Sequence, residues 1–355
     1  MFTFLLTISI LFVSAAEYRV LVLGDIHYDA PEYHIINPEL KLKMRSEYIK
    51  MWKGKTPQLL TASAKLLDKD VPFVIQSGDF TQGDGVSIKH QEKMFTDGFA
   101  AVKKFFPNHK LLAVKGNHDI RTYAVKKVKD KDTLVRVETN APAANAFMPL
   151  IAKELGVESI KDHYSVVHNN DLFIFYDGFA RPQSNSIKYL KATLDANPKV
   201  RNVFFITHLP VIACSTGNPG WMLYNYVNIC KLLMSRNAII LTAHTHQPSL
   251  VQVNDGKNTL TQFVTSSIGY RWAIGKPSGI WLNTIEDFQK NLYKKKAGIK
   301  RSVAALKHLN SLPVKVFEMY QNANGFTILK ISDKGVFAEV YNDDSGKPAL
   351  VKQLK

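Results

Sequence analysis

Cysteine is scarce in this 355-residue chain: Cys214 and Cys230 are the only two, so at most one internal disulfide can form. Long apolar runs are missing as well. None reaches the ~20 residues that a membrane-spanning helix needs, so the mature protein is expected to be soluble. No Asn-x-Ser/Thr triplet occurs, and N-glycosylation is not expected. Neither an internal repeat nor a low-complexity linker interrupts the chain, which favours one domain over two. Acidic residues are outnumbered: 30 Asp and Glu stand against 46 Lys and Arg, a net charge of +16. That balance favours anionic partners, whether phosphorylated substrates, acidic membrane surfaces or nucleic acid, without choosing among them, and no specific nucleic-acid partner is expected.

What is present starts with an apolar run, Phe4–Val13, followed by the small residues Ser14, Ala15 and Ala16. This is the form of an export signal cleaved near Ala16. The expected organisation is a signal peptide over 1–16 and one domain over 17–355, secreted or held in the lumen of the secretory or lysosomal pathway. Export permits a disulfide between Cys214 and Cys230.

The remainder alternates between short apolar runs and helical stretches. Tyr18–Leu23, Val71–Gln76, Lys110–Lys115, Val203–Thr207 and Ala238–Thr242 read as strands buried on both faces. Helical spacing is expected near 57–69, 88–105, 141–155, 187–197, 229–235 and 284–294. A hairpin is expected over Tyr164–His168 and Asp171–Asp177, turning at Asn169 and Asn170. A last strand pair is expected at Phe326–Ser332 and Val336–Tyr341. The stretch 121–140 is polar and basic and carries no clear period. Alternation of this kind predicts a layered α/β arrangement with two stacked sheets.

Five of the expected strands end in residues that bind metals: Asp25 and His27, Gly78-Asp79, Gly116-Asn117-His118-Asp119, His208, and His244 with His246. Ligands gather at the carboxyl ends of strands in open α/β sheets. Residues i and i+2 of a strand point the same way, so Asp25 and His27 can hold one ion together, and His244 and His246 can face one site. Each motif alone is common. Five in order are not, and oxygen with imidazole donors suits Zn, Mn or Fe.

This ordered set resembles the calcineurin-like metallophosphoesterase superfamily, and the resemblance covers Asp25 to His246. It implies a four-layer α/β/β/α sandwich of two mixed sheets with a dinuclear metal site at strand ends. It implies a first ion on Asp25, His27 and His246, a second on Asn117, His208 and His244, and Asp79 bridging them. His118 would then lie over the substrate phosphate, with Asp119 orienting and charge-supporting it. The segment Asp25–His34 is similar to the start of acid sphingomyelinase-like phosphodiesterases, and the loop Ser266–Arg271 has a similar place there. Protein serine/threonine phosphatases carry Asp-x-His-Gly and a later Arg-Gly that are missing here. Purple acid phosphatases carry a metal-bound Tyr just after the second aspartate, where this chain has Phe80-Thr81-Gln82-Gly83. Two departures stand out. Ala243 occupies a position usually held by Gly, and the Cys-rich lipid-handling domain of true sphingomyelinases has no counterpart between the signal peptide and the first strand.

The resemblance implies hydrolysis of a phosphate ester by a hydroxide bridging two divalent ions, zinc first with Mn or Fe as alternatives. His118 is the candidate proton donor, and Tyr28, His34, Tyr270 and Arg271 are candidate substrate contacts. The expected substrate is a phosphorylated small molecule or phospholipid head group. A phosphomonoesterase of the same fold is the alternative, and a non-catalytic cationic binding protein is a third reading that the full ligand set opposes. The export reading makes its own prediction. Edman or mass-spectrometric sequencing of protein recovered from the medium should find a terminus within a few residues of Glu17, and an intact Met1 would refute it.

Overall fold

The computed structural model describes residues 17–34, 52, 54–67, 71–268, 280–292, 299–320 and 324–355. The expected signal peptide, and the candidate contacts Tyr270 and Arg271, lie outside the described residues, as does the Lys-rich stretch 293–298. No helix among the described residues is long and apolar enough to cross a membrane.

The apolar runs form two mixed sheets. One has β1 (Tyr18–Leu23), β2 (Phe73–Gln76) and β3 (Lys110–Ala113) in parallel, extended beyond β1 by antiparallel β14 (Phe326–Ser332), β15 (Gly335–Tyr341) and β16 (Leu350–Gln353). The second runs β12 (Ile280–Leu282), β13 (Val314–Tyr320), β10 (Ser249–Asn254), β11 (Thr259–Val264), β9 (Ile239–Thr242), β8 (Asn202–Ile206), β7 (Asp171–Phe175) and β6 (Tyr164–His168). Its centre, β7-β8-β9-β11, is parallel.

The two-residue period of a strand divides the second sheet cleanly. Phe173, Phe175, Phe204, Ile206 and Leu241 enter the core shared with the first sheet. Their neighbours Leu172, Ile174, Val203, Phe205 and Ile240 enter a second core. Helices α4 (Gln183–Ala196), α5 (Tyr226–Met234), α6 (Ile285–Lys290) and α7 (Lys300–Ser311) close that outer core through residues such as Leu190, Leu233, Phe288 and Leu309. On the other side α1 (Lys55–Lys65), α2 (Ile88–Lys103) and α3 (Met148–Leu155) cover the first sheet. The result is the expected helix–sheet–sheet–helix order. In α2 the Ser87 hydroxyl caps the first turn by accepting from the His90 N–H at 3.3 Å, and Met94, Phe95, Phe99 and Val102 form its buried face. The turn at Asn169 and Asn170 has φ of 46° and 62°, the left-handed pair that a two-residue hairpin requires.

Several elements depart from expectation. The basic stretch 121–140 is a hairpin, β4 (Arg121–Val128) and β5 (Lys131–Glu138), turning at Lys129 and Asp130. Much of it is exposed, so no apolar alternation marks it. It is tied down by Arg136, which donates to both Asp84 oxygens at 2.6 Å. Cys214 and Cys230 are not joined. Both are buried free thiols in the outer core, and burial pushes them up to about 12 and about 11.

Several polar links hold the sheets together, three of them on the β3–β7 side. Tyr18 on β1 donates to Asp171 on β7 at 2.6 Å, and Arg201 and Asn202 complete the partners of that carboxylate. Tyr164 on β6 donates to the Ala113 carbonyl at 2.8 Å and accepts from the Ala113 N–H at 2.9 Å, filling the open side of edge strand β3. Past the ends of β3 and β7, Lys115 pairs with Asp177 at 2.6 Å, both almost fully buried. Removing one partner of a buried pair leaves an uncompensated charge. Lys115→Met should therefore lower unfolding free energy by about 3–5 kcal/mol in urea melts, and adding Asp177→Leu should restore most of the loss. A single variant as stable as the parent would show that the pair contributes nothing.

Candidate metal centre

Every metal-binding motif sits just beyond a strand. Asp25 and His27 follow β1, Asp79 follows β2, Asn117 follows β3, His208 follows β8, and His244 and His246 follow β9. The two sheets aim these ends at one another. Strand alternation is not what orients Asp25 and His27: both lie past the strand with φ of 35° and 49°. Asp79, His244 and His246 are left-handed too, with φ of 51°, 69° and 56°. The chain turns back at each of these ligands to present a side chain. Ala243 is not among the left-handed residues and is fully buried, so a methyl group fits where the family usually has Gly. Gly78 is needed as glycine: its φ is 97°, and a Cβ there would stand 2.5 Å from the His208 ring.

The donors form two groups. Asp25, His27, Asp79 and His246 have ligand atoms within 4.8 Å of one another, and so do Asp79, His208 and His244. Asp79 belongs to both. Its Oδ1 accepts from the His118 N–H at 2.7 Å. Its Oδ2 faces His27 Nε2 at 3.9 Å on one side and His208 Nε2 at 3.3 Å on the other. Asn117 joins the second group, with its Oδ1 3.1 Å from His208 Nε2, and His244 Nδ1 lies 3.1 Å from the same nitrogen. The Ser77 carbonyl, an acceptor only, stands 3.1 Å from His208 Nδ1 and so fixes the proton there. Asp25 Oδ2, Asp79 Oδ2 and His244 Nε2 are buried without a hydrogen bond. Acceptor atoms held close together, out of water and without donors, are what a pair of divalent cations requires, and the donor set fits them.

The electrostatics agree. Burial lowers His27 to about 4 and His244 to about 3, and holds His246 well below the usual imidazole range, which keeps these rings in the neutral form that binds a metal. Burial also raises Asp25. Burial would raise Asp79 as well, but the surrounding imidazoles, His208 first, hold it well below the carboxylate range. His208 goes the other way, up to about 9, because Asp79 outweighs its burial. A bound ion takes over the role of that proton.

His118 stands at the rim, its Nε2 3.9 Å from Asp79 Oδ2. Asp119 does not touch its ring. The Asp119 carboxylate accepts from the backbone N–H groups of Phe80, Thr81 and Gly116 and from the Thr81 hydroxyl, so it braces the loops that carry Asp79 and Asn117. The Gln82 carbonyl holds His118 instead, 2.7 Å from Nδ1. A carbonyl only accepts, so Nδ1 carries the hydrogen and Nε2 offers a lone pair to the site. Burial lowers His118 well below the usual range.

Tyr28 does not line the cavity over the metal ligands. It is buried against Trp52, with Gly98 leaving room for its ring. The side chain of His34 lies outside the described residues. Sequence reasoning missed the wall of a cavity of about 740 Å³ that opens over Asp79, Asn117 and His118. Arg121, Trp221, Tyr224 and Arg301 line it. Arg121 carried a signal, lying two residues after the Gly-Asn-His-Asp motif. The others come from distant segments with no motif of their own.

Asp79→Asn weakens the one carboxylate shared by both groups. Metal analysis of that variant should show well under the about two ions per chain expected of the parent, and a variant keeping both would remove Asp79 from its bridging place.

The comparisons agree with this geometry. No curated protein sequence matches the chain. Solved structures do, at low identity. A purple acid phosphatase from yellow lupin (Lupinus luteus) is 12% identical with a TM-score of 0.56, covering 95% of this chain and 53% of its own. A dimetal phosphatase from Danio rerio is 11% identical with a TM-score of 0.51, covering 95% and 98%. The Plasmodium protein GAP50, described as the anchor in the inner membrane complex, is 13% identical with a TM-score of 0.50, covering 96% and 89%. Such likeness is one of fold. The sequence pattern of the calcineurin-like phosphoesterases matches residues 18–248, which contain every candidate metal ligand. This chain belongs to the calcineurin-like phosphoesterase family and is a metal-dependent hydrolase of phosphoester bonds.

Proposed function

We propose that the chain is an exported phosphodiesterase of the acid sphingomyelinase-like kind, holding two zinc ions on the seven donors. The observation that carries the catalytic reading is Asp79 Oδ2, set between His27 and His208 where one oxygen can serve two cations. When bound, the ions supply a nucleophile from water and neutralise the phosphoryl oxygens. The protein does the rest. Asp25, His27 and His246 would hold one ion, and Asn117, His208 and His244 the other. Gln82 fixes the His118 ring so that Nε2 meets the phosphoryl group or the leaving oxygen. Asp119 keeps the two loops in register. The diester reading is supported by the resemblance of Asp25–His34 and by a cavity that continues past the metal ligands, with room for a group on the far side of the phosphorus. A purely binding role on this scaffold is opposed by the complete donor set.

The test pairs p-nitrophenyl phosphate with bis(p-nitrophenyl) phosphate. Faster turnover of the diester supports the reading, faster turnover of the monoester assigns a phosphomonoesterase, and no turnover of either overturns catalysis. His118 can act as an acid only if the bound phosphoryl group first places a proton on Nε2; His118→Asn should then keep its metals and lose about 10²–10⁴-fold in kcat on a poor leaving group. The loss should shrink on nitrophenolate, which needs little protonation. An equal loss on both would reduce His118 to positioning the phosphate.

A further inference from the structure

Beyond the metal ligands the cavity has an aromatic and cationic wall that phosphoryl chemistry does not require. Trp221 is 45% exposed, yet its ring sits edge-on to the metal ligand His244, with centroids 5.1 Å apart. Three residues further on, Tyr224 is 43% exposed. Two guanidiniums lie over its ring, Arg301 from the cavity wall at 4.5 Å and Arg181, which does not line the cavity, at 4.9 Å. Arg301 also donates to the Met222 carbonyl, which fixes its position from the first turn of α7. Among the described residues neither arginine has a carboxylate within ion-pair distance.

Large aromatic side chains left half in water are costly unless something covers them, and the side wall of an active-site cavity is where a substrate does so. An aromatic wall can receive either a flat ring or a quaternary ammonium. The guanidiniums decide between them. The Tyr224 face is already occupied by two positive charges, which repel a third cation and attract an anion. The carboxylates on the cavity wall are Asp79, a metal ligand, and Glu138, paired in register with Arg121 on the β4–β5 hairpin. Neither is beside Tyr224 in sequence or in ring contact with it.

We infer that the cavity selects a phosphoester whose group beyond the phosphorus is a planar aromatic ring carrying a second negative charge. The ring packs on Trp221, and Arg301 holds the anion, with the charge of nearby Arg181 adding to the field at Tyr224; a choline-type head group is disfavoured. This rests on the phosphoesterase reading above and names the substrate class of that site.

The test is calorimetric binding of non-hydrolysable phosphonates to the full metal-loaded protein, which needs no turnover. Phenylphosphonate, 4-carboxyphenylphosphonate, 4-(trimethylammonio)phenylphosphonate and methylphosphonate form the series. The carboxylated ligand should bind about tenfold more tightly than phenylphosphonate, and the trimethylammonio ligand more weakly than either. Trp221→Ala should weaken all three aryl ligands by about tenfold and leave methylphosphonate unchanged. Arg301→Gln should remove the preference for the carboxylate alone, and Arg181→Gln should reduce it if the first variant does not fold. Equal affinities across the aryl series, or a Trp221→Ala protein with an unchanged aryl-to-methyl ratio, would overturn the inference. Tightest binding of the trimethylammonio ligand would do the same and assign a cage for quaternary ammonium. The nitrophenyl assays test catalysis separately, so loss of one reading is distinguishable from loss of the other.

Discussion

Everything in this molecule answers to the crowding of lone pairs around Asp79 Oδ2. Oxygen and nitrogen acceptors that repel one another are held within 4.8 Å in two groups, out of water. No single segment can do this. Asp25, His27, Asp79 and Asn117 come from the ends of one sheet, and His208, His244 and His246 from the ends of the other. Each ion would therefore take donors from both sheets. Five of the ligands sit in left-handed backbone, a strain of about 1–3 kcal/mol apiece that persists only where surroundings over-determine it. The surroundings are visible: Asp119 with its four donors, the 2.7 Å bond from His118 N–H to Asp79, and the links Tyr18–Asp171 and Lys115–Asp177 that fix one sheet on the other.

Much of the frame was legible because it repeats. Strands buried on both faces announce themselves as unbroken apolar runs, and the ligands stand in a fixed order at their ends. Asn169-Asn170 declared its hairpin through side chains that tolerate left-handed backbone. Other parts had no periodic signal. The β4–β5 hairpin buries little, so no alternation marks it, and the Arg136–Asp84 contact anchors it to the rest of the fold. The partner of His118 is a main-chain carbonyl, which no side-chain pattern encodes. Asp119, adjacent in sequence to His118, is spent on the backbone instead. Tyr28, close to the ligands along the chain, turns into the core because Gly98 leaves space there. Trp221 and Arg301 are 80 residues apart in numbering and line one cavity only when α7 packs back on the loop after β8. Cys214 and Cys230 share a core without approaching as a pair.

The shared scaffold separates two questions that family membership alone would merge. Phosphatases and an anchoring protein are both built on this fold. What the chain does therefore depends on donors and walls, not on the sandwich. Here the donors are complete, and they sit on residues whose geometry is set by neighbouring loops. The walls come from insert-like segments after β8 and before β13, which the sheets position but do not dictate.

The Tyr164 hydroxyl, bonded to both the N–H and the carbonyl of Ala113, has a meaning beyond joining two sheets. β3 is the outermost strand of its sheet, and such strands are templates on which another chain can add itself. This phenol and the Glu154 carboxylate, which accepts from the Leu111 N–H at 2.9 Å, together occupy the position that a seventh strand would take. They stop growth sideways, one of them with a ring that already fills the core between the sheets. This edge is closed from within.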